Sequence, residues 1–570
     1  MNRIMHGIPA AGGIAIGPAF VYRPETPEIP KGPVDDIPGE QERLLAAIAA
    51  VDRRLSELVA IAADHAGDAA AEIFEVHRMF LADPALSAKA ADLIAAEATT
   101  AEAAVVAVTS ALADEFASIG DDYFAERAID VRDIGQQLVR ELMGLGSEGL
   151  SEITVPSVVI ADDLTPSDTM SLPEGMALAF CTKEGSATSH AAILARSMGI
   201  PAIVGITNLD VATGTTVAVD GDAGLLYIDP DTEQLAALRE QYERQARLLT
   251  VAAARASEPA VTVDGHRQEV VANIGSVADA ERADRSGAEG VGLLRTEFLF
   301  IDRGTLPTED EQYEAYRSIL ELFGDRPVVV RTLDVGGDKQ VPGINLENEL
   351  NPFLGKRGIR LTLAERDLFQ KQLRALLRAG VHGNLKIMFP MVATLAEVEA
   401  ARAAVGAAAA ALDSRGIERA ASFEIGIMIE VPSAALIAGA LASRLDFFSI
   451  GTNDLTQYTL AVDRTNAAVA TIADPLHPAV LRLIQMVIEA AHAHGKWVGL
   501  CGEMAGDPVA VPILLGLGLD EWSMNPPSIS VVKDRIRSWS TDAARTVADR
   551  CLQASSTAEV RDILMRAVPS

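Results

Sequence analysis

The 570-residue chain reads as a multidomain α/β protein: a small α/β domain interrupted by a helical block, a connecting helix, and a C-terminal (β/α)8 barrel. Three observations predict this. Strand-like segments lie on both sides of a long helical stretch in the first half. A run without Gly or Pro follows Asp229-Pro230. Beyond it, short apolar β-rich runs alternate with helical text, the rhythm of βα units.

Residues 8 to 22 are Gly-rich and β-like and end in AFVY. Pro27, Pro30 and Pro33 mark a break. From about Gly39 to Gly144 the text is helical, with Ile73, Val76, His77 and Phe80 on one helical face. Strand chemistry returns at ITVPSVVIAD, MALAFCT, GTTVAVDG and LLYID. The helical block is therefore inserted into a domain whose first strand is the N-terminal segment. Leu235, Leu238, Tyr242 and Leu249 recur at helical spacing in the segment that runs to Ser257, which predicts a helix joining the two halves.

Eight runs predict the barrel: VVANIG, GVGLLR, PVVVRTLD, LKIMFP, IGIMIEV, FFSIGTND, WVGLCGE and EWSMN. Asn273, Arg295, Arg331, Glu430, Asn453, Asp454 and Cys501 follow the apolar parts of these runs. In a (β/α)8 barrel such ends converge on one face, where active sites are built. The expected boundaries are 1–25 and 146–230 for the α/β domain, 26–145 for the inserted block, 231–260 for the linker helix and 261–570 for the barrel.

Composition narrows the function. The apolar fraction is 49% with aromatics at 4%, so the core is alanine-rich and closely packed. With 48 basic and 80 acidic residues the formal charge is −32, which argues against nucleic acid and suits a basic protein partner. Cys181, Cys501 and Cys551 form no CxxC pair, and a reducing cytoplasm is the expected compartment. Neither a signal peptide nor a membrane span is expected.

At the expected barrel mouth, Arg295, Arg331 and Arg464 supply guanidinium forks suited to phosphate and carboxylate oxygens. Glu430 and Asp454 on neighbouring strands can hold Mg²⁺. The implied substrate is a small phosphorylated anion. A second motif is GSATSHAAILARSMGIPAIVG, residues 185 to 205. Thr188 or Ser189 caps the helix that follows. His190 then stands at its N-terminus, where free N–H groups favour a phosphate, and a neutral imidazole is a competent nucleophile toward phosphorus. Cys501, in GLCGEMAGD, can donate a proton.

These motifs, with IFEVHRMFLAD, AERAIDVRDIG, DLTPSDT, GVGLLRTEFLF, RTLDVGGDK, NPFLGKRGIR, IMFPMV, GIMIEVPSA and FFSIGTNDLTQYTLAVDR, give the sequence its likeness to a known family. It resembles enzyme I of the phosphoenolpyruvate:sugar phosphotransferase system over almost its whole length. The resemblance implies a swivelling phosphohistidine domain, an inserted partner-binding subdomain and a TIM barrel that binds phosphoenolpyruvate and dimerises. It implies that His190 is phosphorylated on Nε2. Arg295, Arg331, Asn453, Asp454 and Arg464 bind phosphoenolpyruvate, and Glu430 and Asp454 bind Mg²⁺. Cys501 protonates the enolate, and Thr169 orients His190. His77, Arg127 and Asp130 meet the phosphocarrier protein HPr. Three positions depart from the family's habit: Gly185-Ser186 before the histidine motif, Asp68-Ala69, and Lys356.

Pyruvate phosphate dikinase and phosphoenolpyruvate synthase share the barrel motifs, but no Walker-type loop occurs here. The nitrogen-regulatory paralogue is disfavoured by the start at Met1. A non-catalytic sensor is disfavoured because nucleophile, metal ligands and acid are all present.

Overall fold

The computed structural model describes residues 3–23, 29–30, 32–65, 68–118, 122–145, 150, 153–170, 172–173, 175–185, 189–300, 305–336, 349–463, 469, 472–567 and 569. The chain divides into two compact units, Met1–Arg247 and Leu248–Ser570.

The first unit is built on an eight-stranded mixed sheet. Its strands are β1 (Arg3–His6), β2 (Ile8–Ala11), β3 (Ile14–Tyr22), β4 (Ser157–Ala161), β5 (Ala177–Thr182), β6 (Ala202–Val204), β7 (Thr216–Asp220) and β8 (Leu225–Ile228). Their order is β1-β8-β7-β3-β4-β5-β6-β2. β3 to β6 run parallel, and the flanking pairs are antiparallel. Every residue of β4 is buried, as a central parallel strand requires. Three strands, not one, precede the helical block, because Gly7 and then Gly12-Gly13 break the N-terminal segment. Gly13 sits at φ 111°, which a side chain would strain.

Between β3 and β4 lie five helices: α1 (Ile37–His65), α2 (Asp68–Ala82), α3 (Pro84–Glu97), α4 (Ala101–Ser118) and α5 (Asp122–Leu142). They bury their own core, centred on Val51, Leu55, Phe74, Ile94, Ala104, Ile134 and Leu138. β3 and β4 are hydrogen-bonded neighbours, so the block leaves and re-enters the sheet at one point. Two further helices, α6 (Pro166–Met170) and α7 (His190–Met198), flank the sheet, and α8 (Thr232–Ala254) follows it as the predicted joining helix.

The second unit is a closed parallel barrel. Its strands are β10 (Arg267–Ile274), β11 (Val291–Arg295), β12 (Pro327–Arg331), β13 (Asn384–Phe389), β14 (Glu424–Ile429), β15 (Phe447–Ile450), β16 (Trp497–Leu500) and β17 (Glu521–Met524). β10 pairs with both β17 and β11, which closes the ring, and the short β9 (Ala260–Val261) adds antiparallel to β10. These are the eight runs read from sequence. Leu293, Val329, Met388, Met428 and Phe447 fill the interior, so it is a packed core rather than a pore.

The outer helices start where their caps dictate. In order they are α9 (Val277–Arg285), α10 (Glu309–Phe323), α11 (Ile359–Ala364), α12 (Arg366–Ala379) and α13 (Leu395–Ser414), followed by others. α10 and α13 open on capping boxes, Thr308 with Glu311 and Thr394 with Glu397. The alanine run of α13 packs Ala401, Ala408 and Val405 inward. Among the described residues no helix is long and apolar enough to cross a membrane.

Candidate active site

Two constellations emerge, one in each unit. In the first, His190 is the first residue of α7, and the N-cap is Ser189, at φ −61° and ψ 157°. The Ser189 hydroxyl makes no capping bond, and its oxygen is buried with no partner among the described residues. The first turn of α7 thus keeps N–H groups available for an anion. Ala191, Ala192, Leu194 and Ala195 are buried, and these small side chains bring α7 close to the sheet. Gly199 ends the helix in the left-handed region. The side chain of His190 and all of Thr188 lie outside the described residues.

α6 packs against α7 and carries Thr169. Thr169 is fully buried, and its hydroxyl donates to Thr165 O at 3.0 Å. Ser167 in the same helix donates to Asp133 at 2.9 Å, and Gln137 donates to Ser167 at 2.7 Å. Tyr22 donates to Asp168 at 2.6 Å; burial and Asp168 together push the phenol well above its ordinary range. α6 is therefore tied to both the sheet and the helical block.

The sequence placed His77 at a partner surface. It is instead 0% exposed. Its Nε2 lies 3.0 Å from Asp130, and its Nδ1 lies 3.5 Å from Asp133. Asp130 is also fully buried and accepts from Arg127 at 2.9 Å. Burial raises the Asp133 carboxyl above the carboxylate range, opposed by His77. Only Arg127 of this trio is partly exposed. As placed, His77 and Asp130 bind α2 to α5 and present no surface to a partner.

In the second unit the predicted residues gather at the C-terminal ends of the barrel strands. Arg295 and Arg331 are the last residues of β11 and β12. Glu430 follows β14 and Cys501 follows β16, while Asn453 and Asp454 lie in the first turn of a helix, Thr452–Leu460, after β15. Asn273 lies in β10 and donates to Cys501 O at 3.0 Å. Arg464 lies outside the described residues.

An alternating chain of charges spans this mouth. Arg331 donates to Glu297 at 2.8 Å and lies 3.2 Å from Asp334. Glu297 also accepts from Asp334 N at 2.9 Å. Arg357 donates to Asp334 at 3.0 and 3.1 Å and to Asp454 at 3.2 and 3.3 Å. Burial opposes the charges of Arg331 and Arg357, but Asp334 and neighbouring carboxylates outweigh it and raise both pKa values. Glu297, Asp334 and Arg357 were not singled out in the sequence. The motifs RTLDVGGD and GKRGIR contain two of them; Glu297 stands two residues past Arg295.

Three groups in this mouth are left with unspent capacity. Arg295 is exposed, and its side chain makes no hydrogen bond or ion pair with a described residue. Burial, reinforced by Arg331, lowers its pKa, yet a guanidinium stays charged. Glu430 accepts from Met391 N at 2.5 Å through Oε1, while Oε2 is buried with no partner among the described residues. Burial, Asp454 and Asp334 push this carboxyl up to about 8. Cys501 is 4% exposed and its thiol is pushed up to about 11, chiefly by burial, so it keeps its proton at neutral pH. Asn453 is bonded both ways to Glu503, at 3.2 and 3.1 Å.

A magnesium ion fits these residues. The buried Oε2 of Glu430 has acceptor capacity that no described residue uses, the chemistry a hard cation requires. Among the described residues no group of three or more His, Cys, Asp or Glu is set to cage a metal. Mg²⁺ does not need one: it takes one or two carboxylates and completes its shell with water and substrate.

Comparison with known proteins agrees with this geometry. Residues 250–541 match the PEP-binding domain of PEP-utilising enzymes, 153–224 their mobile domain and 6–127 their N-terminal region. The phosphoenolpyruvate-protein phosphotransferase of Priestia megaterium is 46% identical over 98% of both chains. That of Geobacillus stearothermophilus is 45% identical over 99% of this chain and 98% of its own. The Bacillus subtilis (strain 168) protein is 44% identical over 98% of both. A phosphate-ready helix start in one unit, a charged barrel mouth in the other and full-length relatives of one kind lead to one conclusion: the chain belongs to the phosphoenolpyruvate-protein phosphotransferase family, the enzyme I family of the phosphotransferase system.

Proposed function

We propose that the chain phosphorylates itself on His190 with phosphoenolpyruvate as donor and Mg²⁺ as cofactor. It then passes the phosphoryl group to a histidine of an HPr-type phosphocarrier, the first step of sugar uptake by the phosphotransferase system. The observation that carries the reading is the barrel mouth. Among the described residues the Arg295 side chain has no partner there, one oxygen of Glu430 is buried with no partner, and the Cys501 thiol holds its proton.

In this reading Arg295, Arg331, Asn453, Asp454 and Arg464 bind the donor's phosphate and carboxylate. Glu430 and Asp454 would hold Mg²⁺, which supplies charge neutralisation on the phosphoryl oxygens. The His190 Nε2 lone pair forms the N–P bond as the enol C–O–P bond breaks, and the arginines stabilise the charge that spreads over phosphorus. The electron pair left on oxygen makes an enolate. Cys501 then gives its proton to carbon, pyruvate leaves, and the thiolate is reprotonated from water.

Thr169 orients the His190 ring. Arg127 offers the exposed charge for the carrier; His77 and Asp130 contribute by holding α2 and α5 beneath it. The units swivel so that His190 alternates between donor and carrier, with functional boundaries at 1–25 and 146–230, 26–145, 231–260 and 261–570. Two chains pair through the barrel. The working compartment is the cytoplasm.

Incubation with labelled phosphoenolpyruvate and Mg²⁺ alone should place an acid-labile phosphoryl group on His190 and then on purified HPr. His190→Ala should lose the label yet still bind phosphoenolpyruvate. A requirement for ATP would overturn the reading. A crosslink fixing the two units should abolish labelling, and sedimentation should show a dimer.

A further inference from the structure

Helix α12 lies outside the barrel and packs an apolar face inward: Leu368, Phe369, Leu373 and Leu376 are all buried. In the middle of that face stands an amide, Gln372, 1% exposed. A polar group in such a place costs stability unless every donor and acceptor is matched. Gln372 is matched completely, and by both strand ends that carry the mouth arginines. Its Oε1 accepts from Leu333 N at 3.0 Å, two residues past Arg331. Its Nε2 donates to Thr296 Oγ1 at 3.1 Å, one residue past Arg295, and to Tyr316 OH at 3.2 Å. Thr296 in turn donates to the carbonyl of Arg331 at 3.0 Å, and Tyr316 donates to Gln312 at 3.4 Å.

The donors point one way round this chain. Leu333 N–H can only donate, so it fixes the amide oxygen and with it the amide nitrogen. Thr296 receives from that nitrogen and spends its own proton on Arg331 O. Thr296, Tyr316 and Gln312 are themselves buried. The side chain thus reads the backbone after β12 and the side chain after β11 from behind, without reaching the mouth.

We propose that Gln372 is a positioning residue for the substrate arginines: it fixes the ends of β11 and β12 relative to one another, and so sets the spacing of Arg295 and Arg331. The inference rests on the reading that these arginines bind phosphoenolpyruvate. Its role is distinct from that of the ion pairs in the mouth, because those join charged side chains, whereas the amide holds the backbone after β12 and the hydroxyl after β11.

The test is Gln372→Met in the full chain. Methionine keeps the length and volume and removes every hydrogen bond. The thermal midpoint should stay within about 3 °C of wild type. KM for phosphoenolpyruvate in self-phosphorylation should rise about tenfold while kcat falls less than about threefold, the pattern of lost ground-state grip. A folded Gln372→Met chain with KM within about twofold of wild type overturns the proposal. If that variant does not fold, Thr296→Val takes its place and should give the same rise in KM. Where both fold, the double variant should be no worse than either single, since both cut one chain; full additivity would count against the link. Arg331→Lys in parallel separates the levels. If it leaves KM unchanged, the reading of the mouth itself fails; if it raises KM and Gln372→Met does not, only this inference fails.

Discussion

The two ends of the barrel are made from the same strands and have opposite electrostatics. At the C-terminal end, Arg331 and Arg357 alternate with Glu297, Asp334 and Asp454, so each of these five has a partner of opposite sign. At the N-terminal end Glu269, Glu424 and Glu521 lie at or near the strand starts beside Asp520, and Lys386 is the cation acting on both Glu521 and Glu269. Lys386 is 2.9 Å from Glu424 and lies 4.4 Å over the ring of Trp497, which stacks on Phe447 at 4.5 Å. Oε1 of Glu521 is buried with no partner among the described residues. Charge at the first end is balanced and oriented for an anion. Charge at the second is in acidic excess and is relieved by protonation.

The comparison predicts that damage at the mouth costs activity and damage at the base costs stability. The largest effect belongs to Arg331→Lys. The charge stays, so Glu297 and Asp334 keep a counter-ion, but the fork that grips two oxygens at once is lost. We expect kcat/KM for phosphoenolpyruvate to fall about a thousandfold, equivalent to about 4 kcal/mol of transition-state stabilisation, with urea midpoints nearly unchanged. A fall in stability matching the fall in activity would erase the distinction between the ends.

How much of this contrast was legible in the sequence follows from where its parts lie. The eight strands were visible because each is a short apolar run with a polar end. Arg295, Arg331, Glu430 and Asp454 were visible because they stand at those ends. Glu297, Asp334, Arg357 and Gln372 were not, since each acts on a residue from a different loop, and such pairings leave no period in the text. His77 shows the residues and the resemblance pointing different ways. Its flanking Ile73 and Phe80 already marked an apolar face, and the structure buries the ring between two aspartates. The base was not read at all, because a carboxylate at the start of a strand looks like any solvated charge.

The base makes a pH prediction of intermediate size. Burial first, then Glu269, Glu424 and Asp520, raise the Glu521 carboxyl from 4.5 to about 8, against Lys386, which lowers it. The folded chain then holds a proton that the unfolded chain has released between those values. Stability from this group is full at and below pH 4.5, falls as pH rises to about 8, and is flat beyond. Glu521→Gln cannot lose a proton. It should match wild type at the acidic limit and exceed it above pH 8 by on the order of 5 kcal/mol, with unchanged labelling of His190. Urea titrations of both chains across this range read Glu521 together with the carboxylates coupled to it, because more distant titrations cancel in the difference. A constant difference at every pH would sink the idea.

The smallest effect tests whether Lys386 holds the acidic end together by charge. Lys386→Met removes a partly exposed ion pair and two cation–π contacts, over Trp497 and Phe447, together about 1 kcal/mol near neutral pH. Its informative consequence is on Glu521. Without Lys386, Glu521 and Glu269 both become harder to ionise, because Lys386 lowers each of them now. The pH at which stability stops falling should therefore move up in Lys386→Met. In the double variant with Glu521→Gln, the part of that movement owed to Glu521 should vanish. A movement to lower pH would mean that Lys386 acts through packing on Trp497 rather than through its charge. The base would then be a stacked apolar plug with charges at its rim, and the contrast with the mouth would lie in what fills each end rather than in the sign of its charge.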